Sequence, residues 1–394
     1  MEPRSYTGGS MSKNGYKVID SDMHIMEPAD LWQKYGEGKY KDLGPIGITS
    51  ANVRDLRTTH ADGSLWGSTS KGVAGNPNKP GGHNYEKNQL IYADHAARGW
   101  SSEVQLEAMD IEGLDMAILF PTRGLHTLAE PHMDSDMAAA LARAYNNWMY
   151  DFCEPNPDRL IGAAMISPFN MDDAVKEVQR AVKELGFKAV FMRSNQMTDK
   201  PWHDPFYDPL WSALEEHDIA IGFHESSSSG APQVGQHFEP NFMLRRVFAQ
   251  PVEQMMALGS FCGGGVLERH PNLRVAFLEA NCAWAPWLLW RLDEAYERES
   301  DVFVPELTMS PTEYFKRQCW VSVEPDEEPA KYTIDWVGSD RMVFSTDYPH
   351  GDSKYPDAVS SFFNLGITDE EKRKILWDNC ANLYKLAEVP AKVS

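Results

Sequence analysis

The chain has 394 residues and a mass of 44.5 kDa, and 42% of its residues are hydrophobic, which excludes a disordered, collagen-like or coiled-coil protein. Its 37 Lys and Arg residues stand against 58 Asp and Glu residues, and the resulting net charge of −21 argues against nucleic acid or a membrane as a partner. It has no apolar run long enough to span a bilayer and no signal-like start, so we expect a cytoplasmic protein. Its five scattered cysteines support neither a disulfide framework nor a structural zinc site.

The first residues of the chain differ in composition from the rest. Residues 1–15 are small and polar, with several Gly and Ser residues, and we expect a flexible leader. Residues 16–394 are expected to form one metal-dependent barrel domain.

Eight short apolar runs recur along the chain, most of them separated by stretches with helical spacing of apolar residues. Two of these stretches, 172–186 and 208–217, are predicted helices. The runs are predicted strands at 18–25, 116–122, 160–168, 189–194, 219–226, 274–281, 319–325 and 341–349. Nearly continuous apolar strands that alternate with helices indicate a parallel sheet with covered faces. Eight such units favour an α/β fold of the (β/α)8 barrel type over an open doubly wound sheet, and no glycine-rich phosphate turn follows the first strand.

Two connections are too long for simple crossovers. A long insertion after strand 1 covers about residues 26–110 and includes a Gly/Pro/Asn-rich stretch at 69–85. A second insertion, after strand 5, begins with a Ser/Gly run and extends from 227 to about 250. Both follow the carboxyl ends of strands, where barrel active sites lie, so they are expected to be lids or substrate walls, or else oligomer contacts.

Unusual polar residues occur where the predicted strands end. Strand 1 ends with Asp22 and His24, strand 5 with His224 and strand 8 with Asp347. A lone polar residue at a strand end commonly caps a helix or pairs with a neighbour. The ends of three strands of a barrel meet at one mouth, however, so these four side chains are predicted to bind one divalent ion: zinc first, with manganese or iron as alternatives.

The combined motifs resemble a known family. The Asp-x-His of strand 1, GFHES at strand 5, the block from FCGGGV to LLWRLD and the turn STDYPHGDS are similar to the amidohydrolase-related barrels that include aminocarboxymuconate-semialdehyde decarboxylase and aromatic-acid decarboxylases. The resemblance extends from about Lys17 to Leu386. It implies a (β/α)8 barrel with one metal ion, commonly a dimer, that acts on small carboxylated substrates, and it implies the ligands Asp22, His24, His224 and Asp347.

Three positions depart from the family pattern or limit it. Better-known members carry His-x-His or Glu-x-His on strand 1, where this chain has Asp22 and His24. Members commonly place an acid or base His at the end of strand 6, where this chain has Glu279. Strand 4 ends in Arg193 and offers no Lys that could bridge two metals, so one ion is expected.

Further side chains are candidates for binding substrate. Arg193 is predicted either to hold a substrate carboxylate or to form a structural ion pair. His350 is predicted to contact substrate or to cap its loop, and His237 to donate a proton from a lid or to lie on the surface. Trp284, Trp287 and Trp290 recur at helical spacing and are predicted to pack against the barrel.

The function predicted from these residues is metal-dependent decarboxylation of a small cyclic or aromatic carboxylic acid, with Asp347 and Glu279 as the candidate proton carriers and His224 as the third candidate catalytic residue. The alternative is a metal-dependent hydrolase that attacks an amide, lactone or carbon–carbon bond with metal-activated water. A catalytically idle barrel that binds a ligand or partner through the long insertion is the third hypothesis, and it predicts no metal.

Overall fold

A nearly closed ring of eight parallel strands organises the chain. The computed structural model describes residues 13–49, 53, 55–66, 85–130, 133–224, 233–238 and 241–386. The strands are β1 (Ile19–His24), β2 (Met116–Phe120), β3 (Leu160–Met165), β4 (Ala189–Arg193), β5 (Ala220–His224), β6 (Val275–Leu278), β7 (Cys319–Val323) and β8 (Met342–Phe344). Consecutive strands pair in parallel from β1 to β8. The predicted (β/α)8 barrel is confirmed.

The ring is closed between β8 and β1 by bonds that involve side chains. The Ser21 hydroxyl donates to the Phe344 carbonyl at 2.7 Å, and the Ser345 hydroxyl donates to the Asp22 carbonyl at 3.2 Å. The buried Asp20 carboxylate accepts from the backbone N–H and the hydroxyl of Thr346. Closure therefore brings the end of β1 beside the segment that follows β8.

Helices cover the outside of the ring. The main helices are α1 (Ser102–Glu112), α2 (Ser135–Cys153), α3 (Met171–Lys183), α4 (Asp208–Glu216), α5 (Phe242–Leu258), α6 (Ala285–Phe303), α7 (Pro311–Gln318), α8 (Ala330–Val337) and α9 (Asn379–Tyr384). Shorter α-helices lie at Leu31–Tyr35, Tyr40–Leu43, Tyr85–Ile91, Ala93–Ala97, Val266–Arg269, Ala358–Phe362 and Asp369–Arg373. Single turns of 3₁₀- or π-helix lie at Arg123–His126, Pro205–Tyr207, Gln236–Phe238, Gly259–Gly263, Ser339–Arg341 and Lys374–Asp378.

The two helices predicted from sequence are confirmed as α3 and α4. Asn170 caps α3 by accepting from the backbone N–H groups of Asp172 and Asp173. Acidic residues occupy its first turn and basic residues its last, which complements the helix dipole. In the described part of the chain, no helix combines the length and the apolar character needed to cross a membrane.

The long connection from β1 to β2 is tied to the top of the barrel at two places. The buried Arg123 guanidinium donates to the carbonyls of Glu27, Ile48 and Asp55. A short antiparallel pair, Ile46–Gly47 with Thr58–Thr59, lies in the same connection.

The second tie joins this connection to the segment after β8. The His95 Nδ1 atom lies 2.8 Å from the Tyr348 hydroxyl. Most of the predicted leader, of the Gly/Pro/Asn-rich stretch and of the Ser/Gly run after β5 lies outside the described residues.

Candidate metal centre

The four side chains predicted as ligands meet at the carboxyl ends of the strands. The Nε2 atom of His24 lies 3.1 Å from Nε2 of His224, 3.5 Å from Oδ1 of Asp22 and 3.5 Å from Oδ1 of Asp347. All four residues are buried. Side chains from β1, β5 and the end of β8 therefore face one common point, as the strand-end pattern predicted.

Local backbone geometry directs these side chains inward. The pairing of β1 with β2 shifts register between Asp20 and Met23, and such irregularities re-aim side chains near active sites. Asp347 has a φ angle of 55° and Glu279 one of 46°, values in the left-handed region that non-glycine residues rarely adopt. Backbone strain of this kind concentrates at functional sites.

The proton on His24 is fixed by a carbonyl group. Nδ1 of His24 lies 2.7 Å from the Pro121 carbonyl oxygen, which only accepts hydrogen bonds, so Nδ1 carries the proton. Burial lowers the pKa of His24 to about 3, and the ring is therefore neutral near pH 7. Its Nε2 atom presents a lone pair to the centre of the cluster, which is the tautomer of a metal-ligating histidine.

The carboxylates of the cluster have few donors. Both side-chain oxygens of Asp22 have no hydrogen bond from any described residue, while Oδ1 of Asp347 and Oε2 of Glu279 have only imidazole nitrogens close by, Nδ1 of His350 at 2.5 Å and Nε2 of His224 at 2.6 Å. Burial raises the pKa values of Asp22 and Asp347 well above their usual range. A buried carboxylate without a donor is costly, and a divalent cation at the common point would satisfy these oxygens together with the two imidazoles. The donor set therefore fits a metal ion.

Glu279 belongs to the same cluster. Its Oε2 atom lies 2.6 Å from Nε2 of His224 and 3.4 Å from Nε2 of His24. Its Oε1 atom accepts from Nε2 of Gln250 at 2.9 Å, with Nη2 of Arg246 at 3.7 Å. Burial opposes ionisation of Glu279, but His224 and the other neighbouring imidazoles hold its pKa well below the usual range.

His350 lies at the edge of the cluster. Its ring stacks on His24 with 3.9 Å between centroids. Its Nδ1 atom is 2.5 Å from Oδ1 of Asp347, and its Nε2 atom is 3.0 Å from the Thr122 hydroxyl. The structure thus places His350 against a predicted ligand.

Arg193 and His237 lie apart from these contacts. The buried Arg193 guanidinium donates to the Leu125 carbonyl and to Oδ1 of Asn195. His237 is exposed, its ring packs on Phe238 with 4.2 Å between centroids, and no hydrogen bond or ion pair described here joins it to the cluster.

Sequence reasoning missed the side chains that support the cluster. Arg246 and Gln250 lie four residues apart on α5, so they share the helix face that contacts Glu279. Polar residues at this spacing on the inner face of a barrel helix are a usable signal. Thr122, which follows β2, carried no comparable signal.

The chain is similar to known proteins over most of its length. The family model described as Amidohydrolase matches residues 19–386. The chain is 25% identical over 251 residues to 2-amino-3-carboxymuconate-6-semialdehyde decarboxylase of Dictyostelium discoideum, covering 64% of this chain and 67% of the relative. It is 25% identical over 304 residues to gamma-resorcylate decarboxylase of Rhizobium sp. strain MTP-10005, covering 72% and 87%.

A solved structure shares the fold. The crystal structure of a mutant 5-carboxyvanillate decarboxylase from Novosphingobium aromaticivorans, with bound manganese and a substituted nitrobenzoic acid, superposes with a TM-score of 0.68. That alignment covers 96% of this chain and 99% of the other at 22% identity.

The first prediction concerns metal retention. His224→Ala removes one of the two imidazoles, and we expect the purified, dialysed protein to retain less than about a tenth of an equivalent of transition metal. Mutation of a group that only hydrogen-bonds to a metal ligand already lowers metal affinity about 10- to 100-fold, so loss of a ligand should cost more. Elemental analysis measures the metal, and circular dichroism checks that the barrel is intact. His203→Ala, a change outside the cluster, is the control and should retain metal as the unmodified protein does. Metal retained by a folded His224→Ala variant would show that the ligand set is wrong.

Proposed function

The chain belongs to the amidohydrolase family, and on that premise we propose that it is a metal-dependent decarboxylase of a small cyclic or aromatic carboxylic acid. The observation that carries the proposal is the buried group of acceptor atoms from Asp22, His24, His224 and Asp347 that faces one point. The similarity to two named decarboxylases over most of the chain supports this chemistry.

We assign Asp22, His24, His224 and Asp347 to one divalent ion. When bound, the ion supplies positive charge that attracts a carboxylate and an adjacent oxygen of the substrate. Zinc stays our prediction for the native metal, with manganese and iron as alternatives. Manganese is the metal in the related 5-carboxyvanillate decarboxylase.

Decarboxylation needs a proton at the carbon that loses its carboxylate. The bond between that carbon and the carboxylate breaks, carbon dioxide leaves, and the carbon takes a proton from the protein. Of the two candidate carriers, Asp347 is favoured over Glu279 because His350 contacts its Oδ1 atom at 2.5 Å and links it to the Thr122 hydroxyl. Glu279 is held on its other oxygen by Gln250.

We also assign substrate contacts to the wall of the mouth. Arg193 ends β4 directly opposite His224 in the ladder, where a guanidinium would bind an anionic group of the substrate. His350 is assigned to the same wall through its stacking on His24. His237 lies in the segment between β5 and α5, and its ring is exposed. We propose that it contacts the substrate from this segment.

The second prediction tests the reaction. Metal-loaded enzyme should convert at least one acid from a panel of hydroxybenzoic acids and related ring acids into carbon dioxide and the matching decarboxylated ring. Coupled bicarbonate detection measures the carbon dioxide, and chromatography identifies the ring product. Chelated enzyme is the control and should be inactive until metal is restored. Release of amine or alcohol from amides, esters or lactones, without any carbon dioxide, would instead establish the hydrolase.

The third prediction concerns the proton carrier. His350→Asn should lower kcat by about 100-fold or more while the bound metal is unchanged, because it removes the imidazole that positions the Asp347 carboxyl, and a positioned acid or base contributes at least this much. A smaller solvent deuterium isotope effect on kcat or a changed pH profile separates this role from a structural one. Thr122→Val keeps the imidazole and serves as control, with a smaller expected loss. Unchanged kcat in His350→Asn would remove His350 from the reaction.

We propose in addition that the protein is a homodimer through α6 and α8. The packing predicted for the tryptophan stripe is correct for the buried Trp284 but wrong for Trp287 and Trp290, which are exposed. Tyr332 and Trp336 on the contacting helix α8 are exposed as well. Neighbouring exposed aromatic side chains mark interaction sites, and a second copy of this surface would bury them.

The fourth prediction tests this surface. Light scattering should give a mass of twice 44.5 kDa for the unmodified chain and of 44.5 kDa after Trp287→Glu combined with Trp336→Glu. Leu90→Glu replaces an even more exposed apolar residue outside α6 and α8 and should leave the mass doubled. A doubled mass in the tryptophan variant would place the interface elsewhere.

A further inference from the structure

We propose that Glu279 is a fifth protein ligand of the metal ion and that it leaves one coordination position for substrate. The inference rests on the proposed metal centre but not on the decarboxylation reaction. It replaces the proton-carrying role considered for this residue with a direct bond to the ion.

Distances carry the first step. Two donor atoms about 2.1 Å from one ion and at right angles to each other are about 3.0 Å apart, and a tetrahedral angle makes this about 3.4 Å. Oε2 of Glu279 lies 2.6 Å from Nε2 of His224 and 3.4 Å from Nε2 of His24. The distance to His24 is that expected for two ligands of one ion and resembles the distances of the Asp22 oxygens, 3.5 and 3.6 Å, whereas the 2.6 Å contact with His224 is a hydrogen-bond distance that a bound ion would lengthen.

Hydrogen bonding carries the second step. Because the Pro121 carbonyl holds the proton of His24 on Nδ1, the Nε2 atom facing Glu279 has no proton to donate. Oε2 of Glu279 thus faces an unprotonated nitrogen of His24 at 3.4 Å, and of these two imidazoles only His224, at 2.6 Å, can donate to it. A cation bound between Nε2 of His24 and Oε2 of Glu279 would make their close contact favourable.

The support behind Glu279 carries the third step. Gln250 donates to Oε1 at 2.9 Å, and Arg246 places a guanidinium 3.7 Å from the same oxygen. One oxygen is thus fixed by α5 while the other points at the cluster. Outer partners of this kind orient ligating carboxylates. Glu279 has a left-handed φ of 46°, so the backbone is strained at the residue whose side chain is held in this orientation.

The charge and number of the donor atoms determine how substrate would bind and which ion the site prefers. Three carboxylates and two neutral imidazoles around a divalent ion give a net charge of −1, which the positive charge of Arg246 offsets. Five protein donors would leave a six-coordinate ion one open position, so one carboxylate oxygen of the substrate would bind the ion and the adjacent oxygen would be attracted by its charge alone. Three oxygen donors also suit a harder ion such as manganese better than an all-histidine set does.

The test counts water molecules on bound Mn²⁺. In the unmodified protein, water-proton relaxation or ¹⁷O-water line broadening in electron paramagnetic resonance should give about one exchangeable water on the ion, and Glu279→Ala should give about two. Affinity for Mn²⁺, measured by competition with a chelating dye, should fall at least about 10-fold in Glu279→Ala. Glu279→Gln keeps the side-chain volume and should show the same direction of change if the alanine variant does not fold.

Glu324→Gln is the matched control. Burial, together with the nearby Asp347 and Glu279, raises the pKa of Glu324 well above its usual range, and Glu324 makes no described contact with the imidazoles. This variant therefore makes the same Glu-to-Gln change beside the cluster and should leave the water count unchanged. A water count and an affinity unchanged in Glu279→Ala would make Glu279 an ion-pair partner of His224 and overturn the inference, as would protein that binds no Mn²⁺. Normal Mn²⁺ binding without release of carbon dioxide would contradict the proposed reaction alone.

Discussion

The unprotonated nitrogen of His24 faces three carboxylates and a second imidazole, all of them buried, and the architecture of the barrel mouth depends on this arrangement. The Pro121 carbonyl fixes the histidine tautomer, so His24 cannot donate to the three carboxylates, and His224 is the one donor among these groups. Burial without compensation costs several kcal/mol per ion in general, and one shared cation offsets that cost. The requirement for a cation therefore follows from hydrogen-bond chemistry as well as from family membership.

Support for the site extends into the outer layer of helices. Helix α5 contacts the strand ends through Gln254, which donates to the carbonyls of Phe223 and Leu278. The same helix holds Glu279 through Gln250, and its Glu253 accepts from the Val234 N–H in the segment after β5. Helix α5 thus connects that segment, two strand ends and the cluster, so a displacement of α5 would change the position of Glu279.

The strands and the meeting of four polar strand-end residues could be predicted because buried parallel strands are almost wholly apolar, so that a polar residue at a strand end stands out. Asp22, His24, His224 and Asp347 each interrupt or end such a run. Residues whose role depends on tertiary contact were not accessible in the same way. Gln250 and Thr122 act through partners far along the chain, and single positions give no indication of them.

The helical spacing of the aromatic residues also could not predict which of them are exposed. Helical spacing shows that Trp284, Trp287 and Trp290 lie near one side of α6, but it does not show how much of that side the barrel covers. The structure buries the first and exposes the other two. The left-handed backbone at Glu279 and Asp347 was equally hidden, since nothing in an acidic residue requires that conformation.

Closure of the ring between β8 and β1 has a consequence for the order of events during synthesis. Asp22 and His24 are translated early, whereas Asp347 is made more than three hundred residues later and reaches them only when Thr346 docks on Asp20. A nascent chain on the ribosome therefore carries an incomplete set of donors until its last strand has emerged. Assembly of the cluster is consequently a late step, coupled to completion of the polypeptide.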